Sequence, residues 1–183
     1  MPHRTLSDEP IAPAKLAHVV LRTARYEQSK AWYLSVLAAR VVFDSPFIAF
    51  LTYDGEHHRL AVINCEGAPV PPPGATGIDH VAFTFASVGE LLSTYRRLRG
   101  EGIEPYWAIN HGPTTSLYYR DPDGNQIELQ VDNFDSDEDF EAWVATGQFA
   151  ENPIGVEFDP DALCDRYLDG EDEVSLRRQE VLR

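Results

Sequence analysis

Between Gln126 and Val131 apolar and polar positions alternate strictly, with Ile127, Leu129 and Val131 on one side and Gln126, Glu128 and Gln130 on the other. That two-residue period is the signature of a β-strand with one buried face. Just upstream, Ser116 to Arg120 is a second extended arm, rich in aromatics, and Asp121-Pro122-Asp123-Gly124 separates the two. Proline presets φ, aspartate bonds its own backbone and glycine accepts positive φ, so the tetrapeptide predicts a turn and His111 to Val131 predicts a hairpin.

The rest of the chain repeats one order of elements twice. Leu16 to Arg22 is a short apolar strand with a histidine in its middle. Tyr26 to Leu37 has helical spacing, with Ala31, Trp32, Leu34 and Leu37 available for a buried stripe. Three strands follow, Arg40 to Phe43, Phe47 to Tyr53 and Arg59 to Cys65, the last two joined at an Asp54-Gly55 turn. Residues 67–77, GAPVPPPGATG, have no periodicity and read as a linker. Then Ile78 to Phe85 is again a strand with one histidine. Ser87 and Glu90 have capping-box spacing ahead of a helix carrying Leu91, Leu92, Tyr95 and Leu98, which ends at Gly100. Ile103 to Ile109 is a strand that Pro105 restricts to an edge or a bulge. The hairpin supplies the last two strands.

Both halves therefore read β-α-β-β-β, and they superimpose: His18 falls on His80, and Leu51-Thr52-Tyr53 on Leu117-Tyr118-Tyr119. A duplicated unit that cannot bury its own sheet face implies two modules packed together. The expected fold class is α+β, with paired βαβββ modules whose curved sheets enclose a cavity and carry their helices outside. Module one spans 15–66 and module two 78–133, after an N-terminal arm at 1–14. Beyond Asn133 the pattern changes. Ser136 to Ala145 and Pro160 to Leu168 predict helices, Ala150 to Pro160 a loop with apolar residues, and Glu171 to Arg183 a short helix or frayed end. This extension, 134–183, is expected to pack on the outside or over the cavity mouth.

Charge narrows the partners. Thirty acids against fifteen bases give a net charge of −15. Such a surface repels phosphate backbones and anionic lipid, so neither nucleic acid nor membrane is an expected partner. Many of the acids crowd into Asp132 to Glu173 and belong to the extension. No apolar run is long enough to cross a bilayer, and the first residues have no signal-peptide core. Two distant cysteines, Cys65 and Cys164, are too few for a disulfide scaffold or a thiolate zinc site. They fit a reducing cytoplasm, with a single bridge left open.

Three residues carry candidate chemistry. His18 and His80 occupy equivalent first strands, and Glu128 lies on the last strand of module two. If duplication turns both imidazoles into one cavity, the carboxylate completes a two-histidine, one-carboxylate face with open positions opposite. That is the arrangement of non-haem Fe(II) oxygenases.

From Lys15 to Asn133 the chain resembles the vicinal oxygen chelate superfamily, which includes glyoxalase I, bleomycin-resistance proteins and type I extradiol dioxygenases. The resemblance rests on LAHVVL, IDHVAF and LYYRDPDGNQIELQ in that order. It implies metal ligation by His18, His80 and Glu128. Glyoxalase I-like members place a further carboxylate on the last strand of module one, where Ala61 stands here, with Glu66 just beyond the position. Three ligands without a fourth resemble the extradiol branch, in its compact single-domain form. The tract Glu56-His57-His58-Arg59-Leu60-Ala61 resembles the extradiol segment that supplies an active-site histidine, and its spacing to Ala61 favours His58 over His57. Tyr118 and, at a shortened spacing, His111 resemble the branch's other catalytic residues, with Tyr119 facing away.

The resemblance implies Fe(II), or Mn(II) as the alternative, with an aromatic diol and O2 as substrates and a homodimer as the assembly. In that setting His58 would stabilise charge developing on the incoming oxygen and return a proton, a contribution of about 3 kcal/mol in a dry site. Tyr118 and His111 would bind or deprotonate a catechol hydroxyl. Strand alternation puts Ile48 and Phe50 on the cavity side of module one, with Trp107 and Ile109 from module two, as apolar walls for the ring. Two other readings use the same residues: a glyoxalase-type metal-dependent isomerase, lyase or epimerase, and a non-catalytic protein that binds an aromatic compound.

Overall fold

The computed structural model describes residues 6–69, 71–72 and 75–179. Met1 to Thr5 of the expected arm, Val70, Pro73 and Gly74 of the expected linker, and Glu180 to Arg183 of the expected last helix lie outside the described residues.

Each module forms its own sheet. In module one, β1 (Val19–Thr23) precedes α1 (Tyr26–Val36), and β2 (Arg40–Asp44), β3 (Ile48–Thr52) and β4 (Leu60–Asn64) complete a sheet of order β1-β4-β3-β2. In module two, β5 (His80–Phe85) and α2 (Val88–Gly100) are followed by β6 (Trp107–Asn110), β7 (Thr114–Arg120) and β8 (Gln126–Asp132), in the order β5-β8-β7-β6. The first strand of each module runs parallel to the last, because the helical crossover returns the chain to its starting end.

The registers make the duplication quantitative. Val20 pairs with Ala61 and Phe50 with Ala61 in module one; Ala82 pairs with Glu128 and Tyr118 with Glu128 in module two. Ala61 is therefore the structural counterpart of Glu128, as its spacing implied. The counterpart of Tyr118 is Phe50 and not Thr52, a correction of two residues. Side chains alternate with a period of two, so this slip leaves the inward face of β3 unchanged.

The core lies between sheets and helices. Ala49, Leu51, Leu60 and Val62 pack toward Tyr33 and Val36, while Leu117, Tyr119, Ile127, Leu129 and Val131 meet the α2 side chains Leu91, Leu92, Tyr95 and Leu98. The buried residues of α1 are Tyr26, Ser29, Tyr33 and Val36, not the expected stripe; Ala31 is exposed, and Trp32, Leu34 and Leu37 are half-buried. Polar partners explain the rotation. Ser29 Oγ is hydrogen-bonded to Thr23 Oγ1, Tyr26 donates to Asp44, and Tyr33 reaches across to Asp121 in the module-two hairpin turn. Apolar counting alone assigns such residues to the wrong face. α2 begins as expected, with Ser87 Oγ accepting from Glu90 N at 3.1 Å.

The extension does more than cap the outside. α3 (Asp137–Ala145) and the short α4 (Gln148–Glu151) lead into a strand absent from the sequence reading, β9 (Val156–Glu157). It pairs antiparallel with Ile109 and Asn110 and becomes the fifth strand of the module-two sheet. The expected Ile103 to Ile109 strand begins only at Trp107 and continues to Asn110. α5 (Pro160–Leu168) then packs on the outer side of α2, where Tyr95 donates to Asp161 at 3.0 Å, and α6 (Glu173–Leu176) follows.

Candidate active site

Register decides which side chains leave the core. Because Leu117, Tyr119, Ile127 and Leu129 face α2, their neighbours Tyr118 and Glu128 point to the opposite face of the sheet. His80 and Trp107 sit on the strands flanking that pair, His80 beside Gln126 and Trp107 opposite Tyr118. Tyr119 packs in the core, as expected, with its hydroxyl unpartnered there.

The electrostatic centre is Glu128, a carboxylate only 4% exposed. His80 Nε2 lies 3.0 Å from Glu128 Oε2, and His80 Nδ1 lies 2.7 Å from Asp79 Oδ2. An imidazole that donates its Nδ1 proton to Asp79 turns a lone pair toward Glu128, so two acceptors face each other at hydrogen-bond distance. With the proton on Nδ1, a second ring proton or a cation makes that contact favourable; with the proton on Nε2, His80 donates to Glu128 directly. A carboxylate on the far nitrogen is also how metal-bound histidines are oriented.

Tyr118 connects this pair to the next layer. Its phenol pKa is raised, first by burial and then by the negative charge of Glu128, so it stays protonated across the neutral range and acts as a donor. Its hydroxyl lies 2.9 Å from His111 Nε2. The Trp107 ring is 5.0 Å from Tyr118 and 5.6 Å from His111, and the His80 ring meets Tyr118 edge-on at 5.4 Å. Ile109 shares this strand face and is fully buried.

A second group belongs to module one. His58 stacks on Phe50 at 4.5 Å and lies 4.4 Å from His18, while the exposed His57 places Nδ1 2.6 Å from His58 Nδ1. The half-buried Ile48, two residues before Phe50, lies on the same face of β3. Burial, then the neighbouring His18 and His57, lowers the His58 pKa and favours the neutral ring.

The structure thus brings His80, Glu128, Tyr118, His111 and Trp107 together, and separately His18, His57, His58 and Phe50. His18 lies one residue before β1 and is exposed, rather than mid-strand. Among the described residues, no three histidine, cysteine, aspartate or glutamate side chains converge closely enough to hold an ion. His18 is not drawn to His80 and Glu128. Arg59 pins the chain around it, its guanidinium donating to the carbonyls of Leu16 and Ala17.

Three contributors escaped the sequence reading. Asp79 was visible only as the residue before a histidine. Glu157 accepts the Trp107 indole N–H at 2.8 Å, and the Ile154 carbonyl lies against His111. Neither has a sequence signal, because both act through contacts more than forty residues away.

The chain is 48% identical over 150 residues to biphenyl-2,3-diol 1,2-dioxygenase 2 of Rhodococcus globerulus, spanning 81% of this chain and 79% of that one. It is 44% identical over 164 residues to biphenyl-2,3-diol 1,2-dioxygenase 3 of the same organism, spanning 88% and 86%. Among solved structures it resembles a glyoxylase/bleomycin resistance protein/dioxygenase domain from Frankia sp. EAN1pec, with TM-score 0.55 and 20% identity over 66% of this chain and 93% of that one. The lactoylglutathione lyase of Agrobacterium tumefaciens matches with TM-score 0.52 and 21% identity over 65% and 94%. Residues 15–129 match the family model described as the glyoxalase/bleomycin resistance protein/dioxygenase superfamily. With two βαβββ modules and the histidine–glutamate pair on the expected strands, the chain belongs to that superfamily.

Proposed function

We propose that this chain is an extradiol ring-cleaving dioxygenase acting on a catechol-type diol of the 2,3-dihydroxybiphenyl class with O2, using a divalent metal held by His80, Glu128 and His18. Fe(II) is the metal of choice and Mn(II) the alternative. Similarity to the two Rhodococcus dioxygenases over most of the chain supports the reaction. The observation that supports the site is the buried Glu128 carboxylate 3.0 Å from His80 Nε2, two metal-ligating side chains side by side on one sheet face. When bound, a divalent metal lowers the pKa of diol hydroxyls and activates oxygen.

The remaining work falls to the chain's own residues. Tyr118, neutral and buried, donates to a diol oxygen, and His111 Nε2 takes a hydroxyl proton as the diol binds. Trp107 and Ile109 wall off one side of the ring, with Ile48 and Phe50 opposite. His58, kept neutral by its surroundings, donates a hydrogen bond to charge developing on oxygen. Ala61 at the position equivalent to Glu128 leaves module one without a strand carboxylate, so the glyoxalase-type ligand set is not completed. Free Cys65 and Cys164 suit a cytoplasmic enzyme. The exposed β2 edge, with Val41, Val42 and Phe43, is a surface that a homodimer would cover.

The test is incubation of iron-loaded protein with catechol, 3-methylcatechol and 2,3-dihydroxybiphenyl, with and without oxygen. A yellow ring-opened product formed with one O2 consumed per diol is expected, with 2,3-dihydroxybiphenyl preferred. Turnover of these diols without oxygen, or none with it, contradicts the proposal.

A further inference from the structure

The C-terminal extension sends one short segment to the site. Asn152 to Phe158 crosses the open edge of β6, and its turn brings the Ile154 carbonyl 2.5 Å from His111 Nδ1. A carbonyl oxygen only accepts, so this contact requires the proton of His111 to sit on Nδ1. A neutral ring then offers its Nε2 lone pair to the Tyr118 hydroxyl, 2.9 Å away.

Everything around the segment fixes that carbonyl. Asn152 closes the turn from both sides: its Nδ2 donates to the Gly155 carbonyl at 2.8 Å and its Oδ1 accepts from Gly155 N at 3.0 Å. Val156 and Glu157 pair with Asn110 and Ile109, and Phe158 N donates to the Ala108 carbonyl at 3.2 Å. Gly155 has φ +114°, and a Cβ there would stand 2.3 Å from the Asn110 carbonyl oxygen and 2.8 Å from His111 Cα. No other residue lets the backbone approach so closely. Glu157 in turn holds the Trp107 indole.

From this geometry we infer that residues 152–158 are a positioning strap for the reaction: the Ile154 carbonyl fixes His111 in its Nδ1–H form, so that the Nε2 lone pair, held by the Tyr118 hydroxyl, is the base for a diol hydroxyl. Ile154 and Gly155 are positioning residues and touch no reacting atom. The inference rests on the functional reading above, in which His111 faces the diol.

Its test combines kinetics of the iron-loaded enzyme with imidazole 15N NMR of the metal-free protein. Gly155→Ala is expected to lower kcat about tenfold with KM within twofold, and to add no further loss to His111→Ala. Asn152→Ala, which loosens the turn without a clash, is expected to follow the same pattern at about threefold, and takes the place of Gly155→Ala if that variant does not fold. NMR is expected to show the wild-type His111 protonated at Nδ1 alone at neutral pH, with Nδ1 and Nε2 forms mixed in Asn152→Ala. A wild-type His111 protonated at Nε2 alone overturns the inference, as do strap and His111 effects that simply add. If the wild type carries the Nδ1 proton yet cleaves no diol, the functional reading falls and the strap's hold on the ring stands.

Discussion

A single buried carboxylate organises the candidate site, and its neighbours explain why it can be there. Glu128 is 4% exposed, and burying an unpaired anion is far too costly to persist. His80, oriented by Asp79, supplies the partner. A second buried carboxylate, Asp121, solves the same problem by structure alone. It accepts from Asp123 N, Asn125 N, Asn125 Nδ2 and Tyr33 Oη. Asp121→Ala unties the turn and leaves the Tyr33 hydroxyl unpaired in the core, and is expected to cost about 3 kcal/mol in urea unfolding. Tyr33→Phe is expected to cost about 1 kcal/mol, since Asp121 keeps its other donors.

His58 gives a pH dependence. Its folded pKa lies below the ordinary 6.5, so the unfolded chain binds the proton more readily. The stability it contributes is complete above about pH 6.5 and is lost as pH falls through the folded pKa. Thermal melts of the metal-free protein from pH 7.5 to 5.5 are expected to show this acid-side loss, diminished in His58→Gln.

At the scale of elements, the legible parts were those with long periodic patterns. β8, α2 and the Asp121 to Gly124 turn follow directly from alternation, capping and turn chemistry. Ser87→Ala removes the cap of α2 and is expected to lower stability by about 1 kcal/mol, read by urea unfolding. β9 was not legible, because two residues carry no period and its pairing partner lies nearly fifty residues away. The face of α1 was misread for a related reason: Ser29, Tyr26 and Tyr33 are buried through polar contacts that a hydrophobic stripe does not register. The register between modules slipped by two residues because the overlay makes the module-one hairpin connection one residue shorter than that of module two, whereas the chain from Leu51 to Leu60 is one residue longer than that from Tyr119 to Ile127. The inward-facing sets survived that slip.

Across the whole molecule, the two modules join through more than the linker. Tyr33 of α1 reaches the module-two hairpin turn, Arg97 of α2 reaches Ser35 of α1 at 3.4 Å, and the Tyr53 and Phe83 rings meet edge-on at 5.8 Å. These ties hold the helices and the hairpin turn together, while the histidine groups of the two modules sit on the opposite sheet faces. The candidate residues were legible because duplication marks His18 and His80, and alternation marks Glu128. How closely the two groups approach depends on side-chain packing across the modules, which no local pattern encodes. Among the described residues, only His80 and Glu128 of the expected ligands meet.

Anaerobic calorimetric titration of the metal-free chain with Fe(II), in the wild type and in His18→Ala, His80→Ala and Glu128→Ala, addresses the central claim most directly. One ion per chain is expected in the wild type, with affinity reduced at least a hundredfold in each of the three variants. Wild-type affinity retained in His18→Ala, or in Glu128→Ala, would contradict a single ion shared by both modules.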